Sequence, residues 1–252
     1  MNHYEVYVLG ELKKWQAKMV KQPRLIDKLA KKLQVKLNSY IPDKVHSAIT
    51  TGVRQMCKLV LFGSKYTTGK PFLNAKLEER EQAVLKKIKN YRNTAAAEGG
   101  LTGAGGILLG LADFPLFLSI KIKLLFEIAS LYGFDVMNYK ERVCILYIFQ
   151  LTFCSDETRL AVYELLKQWQ LTAEGLPADI DDFDWRPFQQ EYRDYLDIAK
   201  MAQLMPVIGA PVGVLVNYQL VKKLGHTAMN VYRMRLLLPQ VISGGGMMPE
   251  LN

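Results

Sequence analysis

Three polar side chains stand in or beside long apolar runs, where a group must either find a partner or do chemistry. Glu98, Asp113 and Asn217 are these residues, and burying any of them is costly unless it is paired. The two carboxylates could flank a pocket beside a glycine turn, one acting as general acid or base, with Asn217 gripping a polar head group. Equally, Asp113 could cap or pair across neighbouring helices and so fix their register. Arg142, Tyr218, His226, Arg233 and Arg235 are the residues able to partner them, and both readings stay open from the residues alone.

Other patterns with chemical meaning fail on spacing. Gly63 to Pro71 reads GSKYTTGKP, which has one residue too many for a phosphate-binding loop, puts proline where the magnesium-holding Ser/Thr belongs, and follows no strand. The glycines at 103, 105 and 106 follow a helix rather than a strand, unlike a dinucleotide fingerprint. Asp179, Asp181, Asp182 and Asp184 lack the central glycine and closing glutamate of a calcium loop. His3, His46 and His226 assemble no catalytic or zinc motif. Cys57, Cys144 and Cys154 include no C-x-x-C and sit among apolar neighbours, as core cysteines do. No metal and no cofactor is expected.

The elements that must position these residues are helical. Apolar residues recur at three- and four-residue steps through Leu12, Trp15 and Met19, and again through Leu25, Leu29, Leu33 and Leu37 beyond Pro23. The spacing predicts a helix over 43–62, a charged helix over 73–97, and starts at Asn138 and Ser155. The acidic stretch 172–184 reads as an exposed loop, a further helix begins near Pro187, and no alternating pattern calls for a strand.

Two stretches depart from amphipathic patterning. Residues 99–120 contain Asp113 as their one charge, and residues 201–221 contain none. Each is long enough to span a bilayer. Yet Asp113 at mid-membrane would cost about 2.5–3.5 kcal/mol, and Pro115, Pro206, Pro211 and the glycines would open backbone groups to lipid. The expected fold is therefore all-α: a multi-helix bundle with two central glycine-rich apolar helices wrapped by amphipathic ones. Salt-resistant insertion of these stretches is the competing picture.

Charge is unevenly spread over the 252 residues. The net +9 resolves into 20 Lys/Arg against 7 Asp/Glu over 1–93, 8 against 16 over 94–199, and 5 against 1 over 200–252. Lys13, Lys14, Lys18, Lys21, Lys28, Lys31, Lys32 and Lys36 line the polar faces of the first two helical stretches, a composition suited to an anionic membrane surface. The same lysines could instead dock on the acidic middle of the chain. They lack the interleaved exposed aromatics of single-strand binders, and no helix-turn-helix pattern occurs, so no specific nucleic acid is expected. Without a signal-peptide pattern at Met1, a cytoplasmic location follows, peripheral to the inner face of the cell membrane if the lysines bind it.

A resemblance adds to this reading. The runs Thr94 to Gly100, Thr102 to Gly106, Leu111 to Pro115 and Glu127 to Asp135, followed by Leu204 to Gly213, Asn217, Ala228 and Tyr232 to Arg235, resemble the core signature of the EcsC family, over about Leu73 to Leu238. That family is named for a component encoded beside the ATPase and membrane subunits of an ABC-type exporter, and its biochemical activity is undefined. The resemblance implies a membrane-associated accessory or lipid-binding protein with ABC transporter subunits as partners, and it supplies no catalytic residues. The alternative from the residues is a hydrolase-like enzyme using Glu98 and Asp113. On this basis the chain divides into a basic amphipathic helical region at 1–72, an EcsC-like helical core at 73–240 continuous with it, and a disordered tail at 241–252.

Overall fold

A computed structural model describes residues 1–21, 43–62, 69–103, 114–182, 184 and 210–243. Among these residues the chain is all helical and contains no strand. Eight helices are described: α1 (His3–Val20), α2 (Asp43–Phe62), α3 (Leu77–Gly103), α4 (Phe114–Leu131), α5 (Tyr139–Phe153), α6 (Arg159–Lys167), α7 (Trp169–Glu174) and α8 (Ala210–Ser243).

Local sequence explains where these helices begin and end. Asn2 opens α1 through a capping box, accepting from the Glu5 N–H at 2.9 Å while the Glu5 carboxylate accepts from the Asn2 N–H at 2.9 Å. Asn138 caps α5 by accepting from the Lys140 N–H at 2.9 Å. The expected start at Ser155 becomes a turn instead: the Ser155 hydroxyl accepts from the Thr158 N–H at 3.3 Å, and α6 begins at Arg159. Helix α3 starts at Leu77 rather than residue 73, because residues 69–76 form an irregular segment that Arg80 holds, donating to the Leu73 carbonyl at 2.7 Å and the Ala75 carbonyl at 2.9 Å. It also continues past residue 97, through Gly99 and Gly100 to Gly103. The loop expected from residue 172 begins later, since α7 persists to Glu174. Helix α8 runs to Ser243, past the expected core boundary at 240.

Helices α3 and α8 form the most extensive pair and run antiparallel. Their register is fixed by Glu81 against Arg233, Ile88 against Gly225 and Arg92 against Tyr218. At the middle of this crossing a β-carbon on Gly225 would lie 2.6 Å from two Ile88 side-chain atoms, so glycine is what allows the helices to approach this closely. Helix α2 packs on α4 and α5, while α1 packs on α3, α6 and α8.

The helix enclosed on all sides is α5, whose residues from Tyr139 to Phe153 are nearly all buried. Its polar residues find partners inside the fold. Thr152 donates to the Ile148 carbonyl at 3.0 Å, and Arg142 donates to the carbonyls of Val136 and Met137 at 3.2 and 2.6 Å. Whether the glycine-rich stretches are central helices falls largely outside the described residues, since 104–113 and 201–209 are not among them. No helix of the described residues is long and apolar enough to cross a membrane.

Candidate functional site

The sequence-predicted residues separate into three groups. Asp113, together with Lys28, Lys31, Lys32 and Lys36, lies outside the described residues. Glu98 stands on α3 and Asn217 on α8, and continuing the antiparallel register carries the Glu98 turn alongside the first two turns of α8. Arg233, Arg235 and His226 are described in detail, and two of them turn out to serve carboxylates that the sequence reading passed over.

Arg233 and Arg235 are two residues apart on α8, about 200° around the helix, so they reach different neighbours. Arg233 reaches α3, where it grips Glu81 with bonds of 2.7 Å from Nε to Oε1 and 2.5 Å from Nη2 to Oε2. The same fully buried carboxylate accepts the Tyr4 hydroxyl at 2.8 Å and the Tyr132 hydroxyl at 3.0 Å. Four donors saturate both oxygens, which makes Glu81 a fastener for α1, α3, α4 and α8 rather than a base. Arg235 reaches α5 and binds Glu141 through 2.7 and 2.8 Å bonds, with the Tyr232 hydroxyl donating to the same carboxylate at 3.0 Å.

Aromatic rings join the two ion pairs. Tyr132 stacks on Tyr232 with centroids 5.4 Å apart, and Phe134 packs on Tyr232 at 5.0 Å. The Arg235 guanidinium lies 3.8 Å from the Phe134 ring centre. Phe134 is aimed there by the end of α4: Gly133 takes φ +91°, and the N–H groups of Gly133 and Phe134 return to Ser130 and Ala129, each at 3.0 Å. Burial first, then Glu81, pushes the Tyr132 phenol well up, and burial with Glu141 does the same to Tyr232, so both stay donors. Burial acts to lower the Arg233 guanidinium, but its bonds with Glu81 outweigh that and raise it.

A cavity of about 260 Å³ opens roughly two turns along α8 from these pairs. Trp15 and Met19 of α1, Leu151, Thr152 and Cys154 at the end of α5, Asp156 and Arg159 at the start of α6, and Lys223, His226 and Thr227 of α8 line it. Arg159 ties the elements together: it donates to the Met19 and Lys21 carbonyls at 3.3 and 2.8 Å, capping the end of α1, and pairs with Asp156 at 2.9 Å. Lys223 donates to the Thr152 carbonyl at 2.8 Å, the last-turn acceptor of α5. Partial burial, then the charges of Lys222, Arg233 and Arg92, lower the His226 imidazole below its usual value. The sequence reading named His226 but missed Lys223 and Arg159, although the 223, 226, 227 spacing does place three residues on one helix face.

Thiolate chemistry finds no support here. Cys57, Cys144 and Cys154 are free and buried, and burial pushes the Cys57 and Cys144 thiols up. Among the described residues no group of His, Cys, Asp and Glu is arranged to hold a metal ion.

On the outer face of α1, Tyr7, Lys14, Lys18 and Lys21 are exposed and follow at steps of seven, four and three, one stripe down the helix. The opposite face buries Val8 and Leu12. Lys13 is exposed beside this stripe.

The model of the EcsC protein family matches residues 7–237. The chain is 41% identical to Protein EcsC of Bacillus subtilis (strain 168) across 91% of its own length and 95% of that relative. It is 27% identical to the uncharacterized protein YdbA of the same organism, across 92% and 93%. No solved structure matches it.

Proposed function

The chain belongs to the EcsC protein family, and from that premise we propose that it is an accessory protein that works at an anionic membrane surface without crossing it. One observation carries the reading: α1 seals Val8 and Leu12 into the core while turning Lys14, Lys18 and Lys21 outward in a single stripe. A helix whose apolar face is already used inside the fold does not need to insert; it meets lipid through charge. Four further lysines at 28, 31, 32 and 36 follow directly in the sequence, which extends the basic character of this end of the chain. The family's association with ABC-type exporters supports membrane subunits of such a transporter as the partner, on the cytoplasmic side.

Flotation of the purified chain with phosphatidylcholine vesicles, and with vesicles containing phosphatidylglycerol, tests this at low and high salt. Salt-sensitive binding to the anionic vesicles alone is the expected result. Absence of binding to either kind contradicts it. For the transporter part, deletion of the chain should weaken exporter-dependent phenotypes, and unchanged phenotypes contradict that part.

A further inference from the structure

We infer that the rim of the crossing between α3 and α8 is a binding site for a phosphate monoester, held by Arg92, Lys222 and Lys89. From residue 82 to 97, α3 carries Lys86, Lys87, Lys89 and Arg92 and no acid, and α8 carries no Asp or Glu anywhere. Most cations of this pair are answered from elsewhere in the fold. Lys87 pairs with Glu127 at 2.8 Å, Lys223 donates to the Thr152 carbonyl at 2.8 Å, Arg233 holds Glu81 and Arg235 holds Glu141. Lys86 lies about 120° round α3 from Arg92. Arg92, Lys89 and Lys222 remain, with no carboxylate in ion-pair reach among the described residues.

The register brings these three together. The Arg92 guanidinium lies 3.8 Å over the Tyr218 ring, Lys222 stands one turn beyond Tyr218 on α8, and Lys89 stands three residues before Arg92 on α3. Both lysines are exposed and Arg92 is half-buried. A guanidinium stacked on a ring keeps its in-plane N–H edge for an acceptor, and here the edge has none: Nε is shielded from solvent and makes no hydrogen bond. Arg233 uses the equivalent edge to grip Glu81. His226 follows Lys222 by one turn, and partial burial, then Lys222, Arg233 and Arg92, hold its imidazole down, so near neutral pH it is an uncharged neighbour. A phosphate monoester carries about −1.5 to −2 and three terminal oxygens. Two suit the Arg92 fork and the third the lysines, whereas a carboxylate would give both its oxygens to the fork. A soluble phosphate ester and a lipid headgroup present the same group. The site stands on its own side chains; only the lipid source rests on the membrane-surface reading.

His226 reports on occupancy. The charged groups around it are Lys222, Arg233 and Arg92, with Lys223, Arg159 and Asp156 on the cavity it lines. Its imidazole resonance in the full-length chain, assigned by loss in His226→Gln, is to be titrated alone, then with sn-glycerol 3-phosphate, inorganic phosphate, acetate at equal ionic strength, or phosphatidylcholine nanodiscs with and without phosphatidic acid. A dianion between Arg92 and Lys222 offsets the charges that lower this imidazole, so the midpoint should rise by about one unit. Arg92→Lys keeps the charge but lacks the fork, and should lose most of the rise. Lys222→Gln, at an exposed position, should weaken it and serves if Arg92→Lys does not fold. A rise with the soluble phosphates that these variants diminish supports the site with a soluble source. A rise with phosphatidic acid alone, diminished in the same way, supports it with a lipid source. An equal rise with acetate, no rise with any probe, or a rise unchanged in the folded variants overturns the proposal. Wild-type chain that floats on phosphatidylglycerol vesicles without any His226 response to the probes would sink this site while leaving the membrane-surface reading intact, and a response to soluble phosphates in a chain that does not float would do the reverse.

Discussion

Arg233 and Glu81, 152 residues apart in sequence, meet through two hydrogen bonds of 2.7 and 2.5 Å on a carboxylate that no solvent reaches. A buried charge pair of this kind contributes little if both members are exchanged for apolar residues, but it is expensive to break from one side. The relationship therefore defines how helices α3 and α8 sit together more than how much they gain by doing so.

Glu81→Gln keeps the shape and removes the charge, leaving the Arg233 guanidinium against a neutral amide. The expected loss is about 3 kcal/mol of unfolding free energy, or a fall in Tm of roughly 10 °C for a chain of this size. Arg233→Met should cost a similar amount, and the double variant much less than the sum. Thermal and urea unfolding measure this, and additive losses would contradict the pairing.

Gly225→Ala pushes a methyl group into Ile88, whose Cδ1 and Cγ1 lie 2.6 Å from the new carbon. Overpacking of this degree costs about 1–3 kcal/mol. Shortening the partner, as in Gly225→Ala with Ile88→Val or Ile88→Ala, should return part of the loss relative to Ile88 replacement alone. Urea midpoints of the four proteins check it, and an alanine without effect would mean the helices are farther apart than described.

The lowered His226 imidazole gives stability a pH dependence whose sign follows from linkage. Its folded value lies below its unfolded value near 6.5, so in the window just below that value the unfolded chain binds more protons. Stability from this residue therefore falls as pH drops below about 6.5. His226→Gln should flatten the unfolding free energy between neutral pH and mildly acidic pH relative to wild type. A variant with the same slope as wild type would show that His226 is not held in this way.

Helix α2 was legible from periodicity alone, with ends at Asp43 and Phe62, because its apolar spacing is regular. The enclosure of α5 was not. Lys140, Glu141, Arg142, Gln150 and Thr152 scatter polarity around that helix, and their partners come from distant segments: Arg235 for Glu141, and the Ala173 and Leu176 carbonyls for Lys140 at 2.8 and 3.0 Å. Glu81 was hidden for a related reason, since it follows Glu78 and Glu79 in a charged run. Those two are exposed, and only the register against α8 singles out the third. Arg233 and Arg235 were visible as a motif, but their carboxylates were not. The cavity, built from four helical segments, has no local signature at all beyond the 223, 226, 227 spacing.

The most direct test of the central claim is vesicle flotation of wild type against the triple variant Lys14→Glu, Lys18→Glu and Lys21→Glu. These side chains are exposed on the outer face of α1, so the variant should unfold at nearly the wild-type temperature. At about 1 kcal/mol per basic residue near an anionic surface, losing three should weaken partitioning onto phosphatidylglycerol vesicles by at least roughly a hundredfold. A folded triple variant that still floats as wild type does would contradict the account and place any membrane contact elsewhere on the chain.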